Sequence, residues 1–165
     1  MKNSIAICPG SFDPITLGHL DIISRGSAMF DKVIVVVMSN VHKNNGSFSV
    51  EERVEMIKKS VAHLPNIEVD YFDGLLADYA AKKNAKAIIK GLRAMSDFEY
   101  EFQMALTNKK LNPDVETIFL TTSAENMYVS SSMVRQVASM GGDISDFVPA
   151  AIHSDIINRL KGKGR

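Results

Sequence analysis

A single α/β domain over residues 1–165, built on an open, doubly wound parallel sheet of five strands with helices on both faces, is the architecture this sequence predicts. Three observations carry the prediction. Five short apolar runs rich in β-branched residues alternate with segments whose apolar residues recur at helical spacing. Each run stops at glycine, proline or polar residues before the next helical pattern begins, the alternation that selects parallel pairing through right-handed crossovers. With 165 residues, 45% of them hydrophobic, the chain can bury one substantial core without disulfides or a structural metal.

The first strand is expected over Ile5–Cys8, because Pro9 and Gly10 oppose its continuation. A helix should begin near Thr16 or Leu17 and lay Leu20, Ile23 and Phe30 on the sheet. Gly18 and His19 then fall in its first turn, where free N–H groups and the positive dipole end converge. An imidazole there can donate to phosphoryl oxygens. Val33–Met38 reads as a second buried strand, followed by a polar loop over residues 40–47. Ser49 and Glu52 form a capping-box pattern that opens a helix with Val54, Ile57, Val61 and Leu64 aligned up to Pro65.

Ile67–Phe72 is the third strand, broken by Gly74, and Leu75–Lys83 a short helix. Ala87–Ile89 forms the fourth strand, ending at Lys90-Gly91. Ser96 and Glu99 suggest a second capping box, opening a helix with Phe98, Phe102 and Ala105 on one side that runs to about Leu111. Glu116–Leu120 is the fifth strand. Two C-terminal helices follow: Ser130–Met140, stopped by Gly141-Gly142, and Pro149–Leu160. There is no internal repeat.

Nineteen basic and nineteen acidic residues give zero formal net charge, which argues against broad binding to nucleic acid or anionic membranes. Any anion has to be met locally. No apolar run is long enough to span a bilayer, and residues 1–4 lead straight into the first strand without room for a signal peptide. A soluble, cytoplasmic protein is expected. The lone Cys8 reads as a buried small residue, and His19, His42, His63 and His153 lack metal-ligand spacing, so no protein-built metal site is expected. Neither G-x-G-x-x-G nor G-x-x-x-x-G-K-[ST] occurs, so the sheet is Rossmann-like without the dinucleotide or P-loop fingerprint. Absence of G-x-S-x-G disfavours covalent acyl chemistry.

In a doubly wound sheet ligands gather at the carboxyl ends of strands. Three sequence features fall there: Ser11 to His19, Lys90-Gly91-Leu92-Arg93, and the hydroxyl run Ser130-Ser131-Ser132 at a helix start. By residue type alone, each has a plain structural reading as a packing glycine, a solvated turn and a helix cap. Three consecutive serines nevertheless exceed what capping needs.

Taken together, Thr16-Leu17-Gly18-His19 after Gly10-Ser11-Phe12-Asp13-Pro14 resembles the [HT]-x-G-H signature of the nucleotidylyltransferase superfamily. Ser130 to Arg135 is similar to its I-S-S-[ST]-x-[IVL]-[KR] motif. The Lys90-Gly91-Leu92-Arg93 segment with Ser96 to Glu101 is similar to that of the phosphopantetheine adenylyltransferases within the superfamily.

This resemblance implies transfer of the adenylyl group of ATP to 4′-phosphopantetheine, giving dephospho-coenzyme A and pyrophosphate. It implies Mg²⁺ accompanying ATP, a homohexamer, and coenzyme A as a candidate inhibitor. It also assigns roles: His19, Lys43 and Arg93 to catalysis, and Ser11, Lys43, Leu76, Lys90 and Asn108 to the acceptor. Ser11, Phe12, His19, Gly91, Leu92, Arg93, Glu101, and Asn126, Met127, Tyr128, Val129, Ser130, Ser131 and Ser132 go to ATP. Lys90 replaces the arginine usual in the family, and Asn126-Met127 replaces an aromatic and a serine. Another nucleotidylyltransferase, acting on nicotinate mononucleotide or of the cytidylyltransferase type, or a nucleotide-binding sensor without catalysis, stays open at this point.

Overall fold

A computed structural model describes residues 3–39 and 46–161. Its strands are β1 (Ile5–Gly10), β2 (Lys32–Ser39), β3 (Ile67–Asp73), β4 (Ala87–Leu92) and β5 (Glu116–Thr121), all parallel, in the order β3-β2-β1-β4-β5. The helices are α1 (Leu17–Met29), α2 (Val50–Ser60), α3 (Leu76–Lys82), α4 (Met95–Leu111), α5 (Ser131–Ser139) and α6 (His153–Leu160).

Two hydrophobic layers sandwich the sheet. Val33, Val35 and Val37 of β2 join Ile22, Ile23, Met56, Ile57, Val134 and Ile156 on one face. Their neighbours Ile34 and Val36 join Ile7, Ile88, Tyr79 and Ala80 on the other. The period-two alternation of a strand thus buries every residue of Val33–Val37, which explains why the sequence there is uninterrupted apolar. Each such side chain contributes roughly 1.5–3 kcal/mol of transfer free energy.

All five strands and the Ser49–Glu52 capping box form as expected, with the Ser49 N–H donating to Glu52 at 2.7 Å and the Glu52 N–H to Ser49 Oγ at 3.2 Å. Several details differ. β1 runs through Pro9 to Gly10 beside β2, while its pairing with β4 covers only Ala6 and Ile7. Pro9 is tolerated because it lies where β4 has already peeled away, so its missing N–H removes no ladder bond on that side. β4 likewise extends to Leu92, carried by β5. The capping box expected at Ser96 and Glu99 does not start α4: the helix begins at Met95 with Ala94 at the N-cap and no side-chain cap bond. α2 ends at Ser60, with only a turn continuing to Leu64, and the last predicted helix divides into a 3₁₀ turn at Ala150–Ile152 and α6.

Candidate active site

Strand order reverses at β1 and β4, since β1 leads to β2 on one side while the chain returns across it to β4. The two strands separate beyond Ile7 and Ile88, opening a cleft at their carboxyl ends, the position where such sheets bind ligands. A cavity of about 460 Å³ lies there, lined by Cys8, Pro9, Gly10 and Phe12 from the β1 end and by Ile89, Lys90, Gly91 and Arg93 from the β4 end. α1 contributes Gly18, His19 and Ile22, α4 Asp97, Tyr100 and Glu101, and the start of α5 Ser130 to Ser132.

His19 is fixed by the helix it begins. Thr16 is the N-cap of α1, its Oγ1 accepting the His19 N–H at 3.3 Å, while the Thr16 N–H donates to His19 Nδ1 at 3.0 Å. The imidazole therefore occupies the role that Glu or Gln usually fills in a capping box. Because Nδ1 accepts a backbone N–H, the ring proton resides on Nε2, the nitrogen left to donate. Edge-on contact with the Phe12 ring, centroids 5.1 Å apart, fixes the ring further.

Burial, with the nearby cations Arg93 and Lys90 adding to it, holds the His19 pKa down at about 4. At neutral pH the group is thus a neutral N–H donor. The folded chain resists protonating this ring while the unfolded chain protonates it near 6.5, so this group's contribution to stability declines as pH falls from about 6.5 toward 4. In imidazole proton NMR of the free protein, His19 is expected to titrate near 4 and to move upward in Arg93→Ala, which removes a repelling cation. A free-protein midpoint at or above 6.5 would contradict this placement.

Both cations are already partnered. Lys90 Nζ lies 3.3 Å from Glu101 Oε2, and Arg93 Nε lies 3.7 Å from Asp97 Oδ2. Asp97 and Glu101 stand four residues apart on one face of α4, which lets a single helix face serve both cations. Arg93 also donates to the Val129 carbonyl at 3.2 Å, tying β4 to the segment before α5. Any anion entering the cleft would meet cations whose countercharge is weakly held, because these pairs are partly solvated and worth little individually.

The serine run divides its work. Ser130 caps α5 through the Met133 N–H at 3.2 Å and approaches Ser132 Oγ at 3.1 Å, while Ser131 donates to the Pro14 carbonyl at 2.7 Å. Capping and tethering account for two of the three hydroxyls, and the helix N-terminus they organise faces the cavity as an anion-favouring end. Cys8 lines the floor, but burial pushes its thiol up to about 12, with Lys90 only partly offsetting that. It stays protonated and is no nucleophile.

Of the residues singled out in sequence, Phe12, His19, Lys90, Gly91, Arg93, Glu101, Val129, Ser130, Ser131 and Ser132 meet in this cavity. Ser11 is exposed beside it, its carbonyl accepting from Arg53 at 3.3 Å. Asn126 packs over Gly18, where an added Cβ would meet Asn126 Cβ at 3.7 Å. Leu92, Met127 and Tyr128 are not in its lining; Met127 and Tyr128 are exposed, and Tyr128 stands edge-on to Phe147. Leu76 packs against the second hydrophobic layer and Asn108 is buried on α4, neither lining the cavity. Lys43 lies outside the described residues. Thr16, Asp97, Tyr100 and Thr122 line the cavity as well without an assigned role in it: Thr16 opens the Thr16-Leu17-Gly18-His19 motif, Asp97 and Tyr100 fall within the Ser96 to Glu101 segment, and only Thr122 lies outside the motifs read in sequence. Asp97 carried a further local signal, its i+4 spacing from Arg93.

Comparison with known proteins adds a family. A sequence profile described as cytidylyltransferase-like matches residues 7–137. A protein of Caldanaerobacter subterraneus subsp. tengcongensis named phosphopantetheine adenylyltransferase is 58% identical, over 95% of this chain and 98% of its own. Proteins of the same name from Clostridium botulinum and Clostridium tetani are 60% and 57% identical, over 95% and 97% of this chain and 98% and 99% of theirs. Among solved structures, a bifunctional NMN adenylyltransferase/ADP ribose pyrophosphatase from Francisella tularensis superposes with a TM-score of 0.72 at 17% identity, over 98% of this chain and 51% of that one. At that identity the likeness speaks for the fold alone.

Proposed function

This chain belongs to the phosphopantetheine adenylyltransferase family of cytidylyltransferase-like nucleotidylyltransferases, and from that premise we propose how its cleft carries out the reaction. The reaction transfers the adenylyl group of ATP to 4′-phosphopantetheine. An oxygen of the acceptor phosphate forms a bond to the α-phosphorus, the bond from that phosphorus to the pyrophosphate oxygen breaks, and pyrophosphate leaves with the electron pair. The product is dephospho-coenzyme A, an intermediate of coenzyme A biosynthesis.

The observation that carries this reading is a neutral Nε2–H donor, held by the Thr16 cap at the strand-order reversal, beside Lys90 and Arg93. A phosphate dianion is already a competent nucleophile. The chain has only to align two polyanions and stabilise the charge that builds on the transferring phosphoryl group. His19 supplies a directed hydrogen bond, Arg93 engages the nucleotide phosphates, Lys90 the acceptor phosphate, and the start of α5 the remaining oxygens.

Mg²⁺ is assigned to ATP, held by phosphates and water, because the lining carboxylates Asp97 and Glu101 already face Arg93 and Lys90. When bound, it neutralises charge on the triphosphate. Coenzyme A, built from both halves of the product, is assigned to the same cleft as a competitor. A homohexamer in the cytoplasm completes the reading. Its support here is α4, where Phe98, Tyr100, Phe102, Met104 and Leu106 are all more than a third exposed, a density of apolar surface suited to subunit contact. No helix among the described residues is long and apolar enough to cross a membrane.

Pyrophosphate release tests the reading with ATP plus 4′-phosphopantetheine, ATP plus nicotinate mononucleotide, and ATP alone. Only the first is expected to turn over. With an ATP analogue chiral at an α-thiophosphate, configuration should invert, as a single in-line displacement requires. Retention would demand an adenylyl-enzyme, for which the protonated Cys8 offers no nucleophile. Turnover confined to nicotinate mononucleotide would reassign the acceptor.

A further inference from the structure

The most heavily partnered carboxylate near the site does not line it. Asp13 is buried directly after Phe12, its two oxygens accepting the Ser47 and Phe48 N–H groups at 3.0 Å each. Two guanidinium groups close around it, Arg53 Nε at 3.4 Å and Arg135 Nη1 at 3.6 Å. Each arginine also grips main chain of the same turn: Arg53 donates to the Ser11 carbonyl at 3.3 Å, and Arg135 to the Asp13 carbonyl at 2.5 Å. One carboxylate thereby fastens the β1–α1 turn to the entry of α2 and to α5.

This fastening has a strained neighbour. Phe12 has φ +47°, a left-handed conformation that a residue with a Cβ adopts only when its surroundings enforce it. The twist sends the ring inward, against Gly10, where an added Cβ would come within 3.0 Å of it, and edge-on to His19. Anchored on both sides, Phe12 becomes a wedge behind the imidazole.

We propose that Asp13 is a positioning residue for His19, acting through Phe12: its ion-pair and N–H clamp holds Phe12 in the left-handed turn, and the Phe12 ring aims Nε2 into the cleft. The proposal rests on the reaction assigned above. Its test therefore includes a readout independent of turnover.

Asp13→Asn keeps the shape but removes the charge and places an amide donor among donors. In the folded, full-length variant, kcat should fall at least tenfold while the KM values for ATP and 4′-phosphopantetheine stay within about threefold, since displacing a catalytic group by an ångström costs up to a hundredfold. The His19 imidazole resonance should shift, because the Phe12 ring edge-on to it is no longer held in place. In a His19→Ala background the same substitution should lower kcat less than threefold. A normal kcat with an unmoved His19 resonance overturns the proposal, as does a loss that multiplies in full on the His19→Ala background.

If Asp13→Asn does not fold, Arg135→Lys, which keeps the charge but loses the fork, is put through the same three measurements with the same criteria. If the wild-type chain shows no turnover with 4′-phosphopantetheine, the functional reading fails while the imidazole resonance still decides the coupling.

Discussion

His19→Ala is expected to leave a folded protein whose kcat is lower by a hundredfold or more. The structural cost should be small. The substitution removes one acceptor of the Thr16 N–H, but the Thr16 hydroxyl still caps α1, so roughly 1 kcal/mol of stability is at stake. Catalysis loses much more, because the Nε2–H donor serves charge that grows only on the way to the transition state, and deleting one such donor commonly costs 10²–10³ in kcat. The loss should fall on kcat more than on either KM. His19→Gln separates the two roles: glutamine at this position is an ordinary capping-box partner, so stability should recover while turnover stays well below wild type. Near-normal kcat in folded His19→Ala, measured by pyrophosphate release, would remove His19 from the mechanism.

The double duty of His19 also shows where sequence was informative and where it stopped. The strand–helix alternation is written in local patterns, so all five strands and the position of the cleft could be read directly. The Gly18-His19 helix start was legible for the same reason, since a cap and its first turn are adjacent in the chain. What escaped were features decided by distant residues. That β1 continues through Pro9 depends on where β4 departs, eighty residues later. The Ser96–Glu99 pattern failed because a capping box marks a helix start only if the chain is not already helical, and α4 begins one residue earlier. Countercharges Asp97 and Glu101 could be placed on one helix face, but their pairing with Arg93 and Lys90 required the packing of α4 beside β4. Asp13 sits within the turn motif, yet its partners Arg53 and Arg135 lie about 40 and 120 positions away, beyond any local pattern.

Lys90→Ala is expected to raise the KM for 4′-phosphopantetheine by roughly ten- to a hundredfold while leaving the KM for ATP within a fewfold. A charge-assisted hydrogen bond is worth roughly 1.5–3 kcal/mol, which sets that range. The structure sharpens the expectation, because Lys90 does not stand alone: its ammonium is 3.3 Å from Glu101. Truncating the lysine leaves that carboxylate facing the incoming acceptor phosphate, so lost attraction and new repulsion add. Glu101→Gln placed on Lys90→Ala should therefore recover part of the acceptor affinity, a sign that a merely solvated lysine could not produce. Lys90→Arg should be tolerated, since a planar fork can hold Glu101 with one edge and a phosphate oxygen with the other. Initial-rate kinetics varying each substrate in turn separate these outcomes. If Lys90→Ala leaves both KM values and kcat unchanged, Lys90 is only surface, and recognition of the acceptor phosphate passes to Lys43, Ser11 and the backbone N–H groups of the β1–α1 turn.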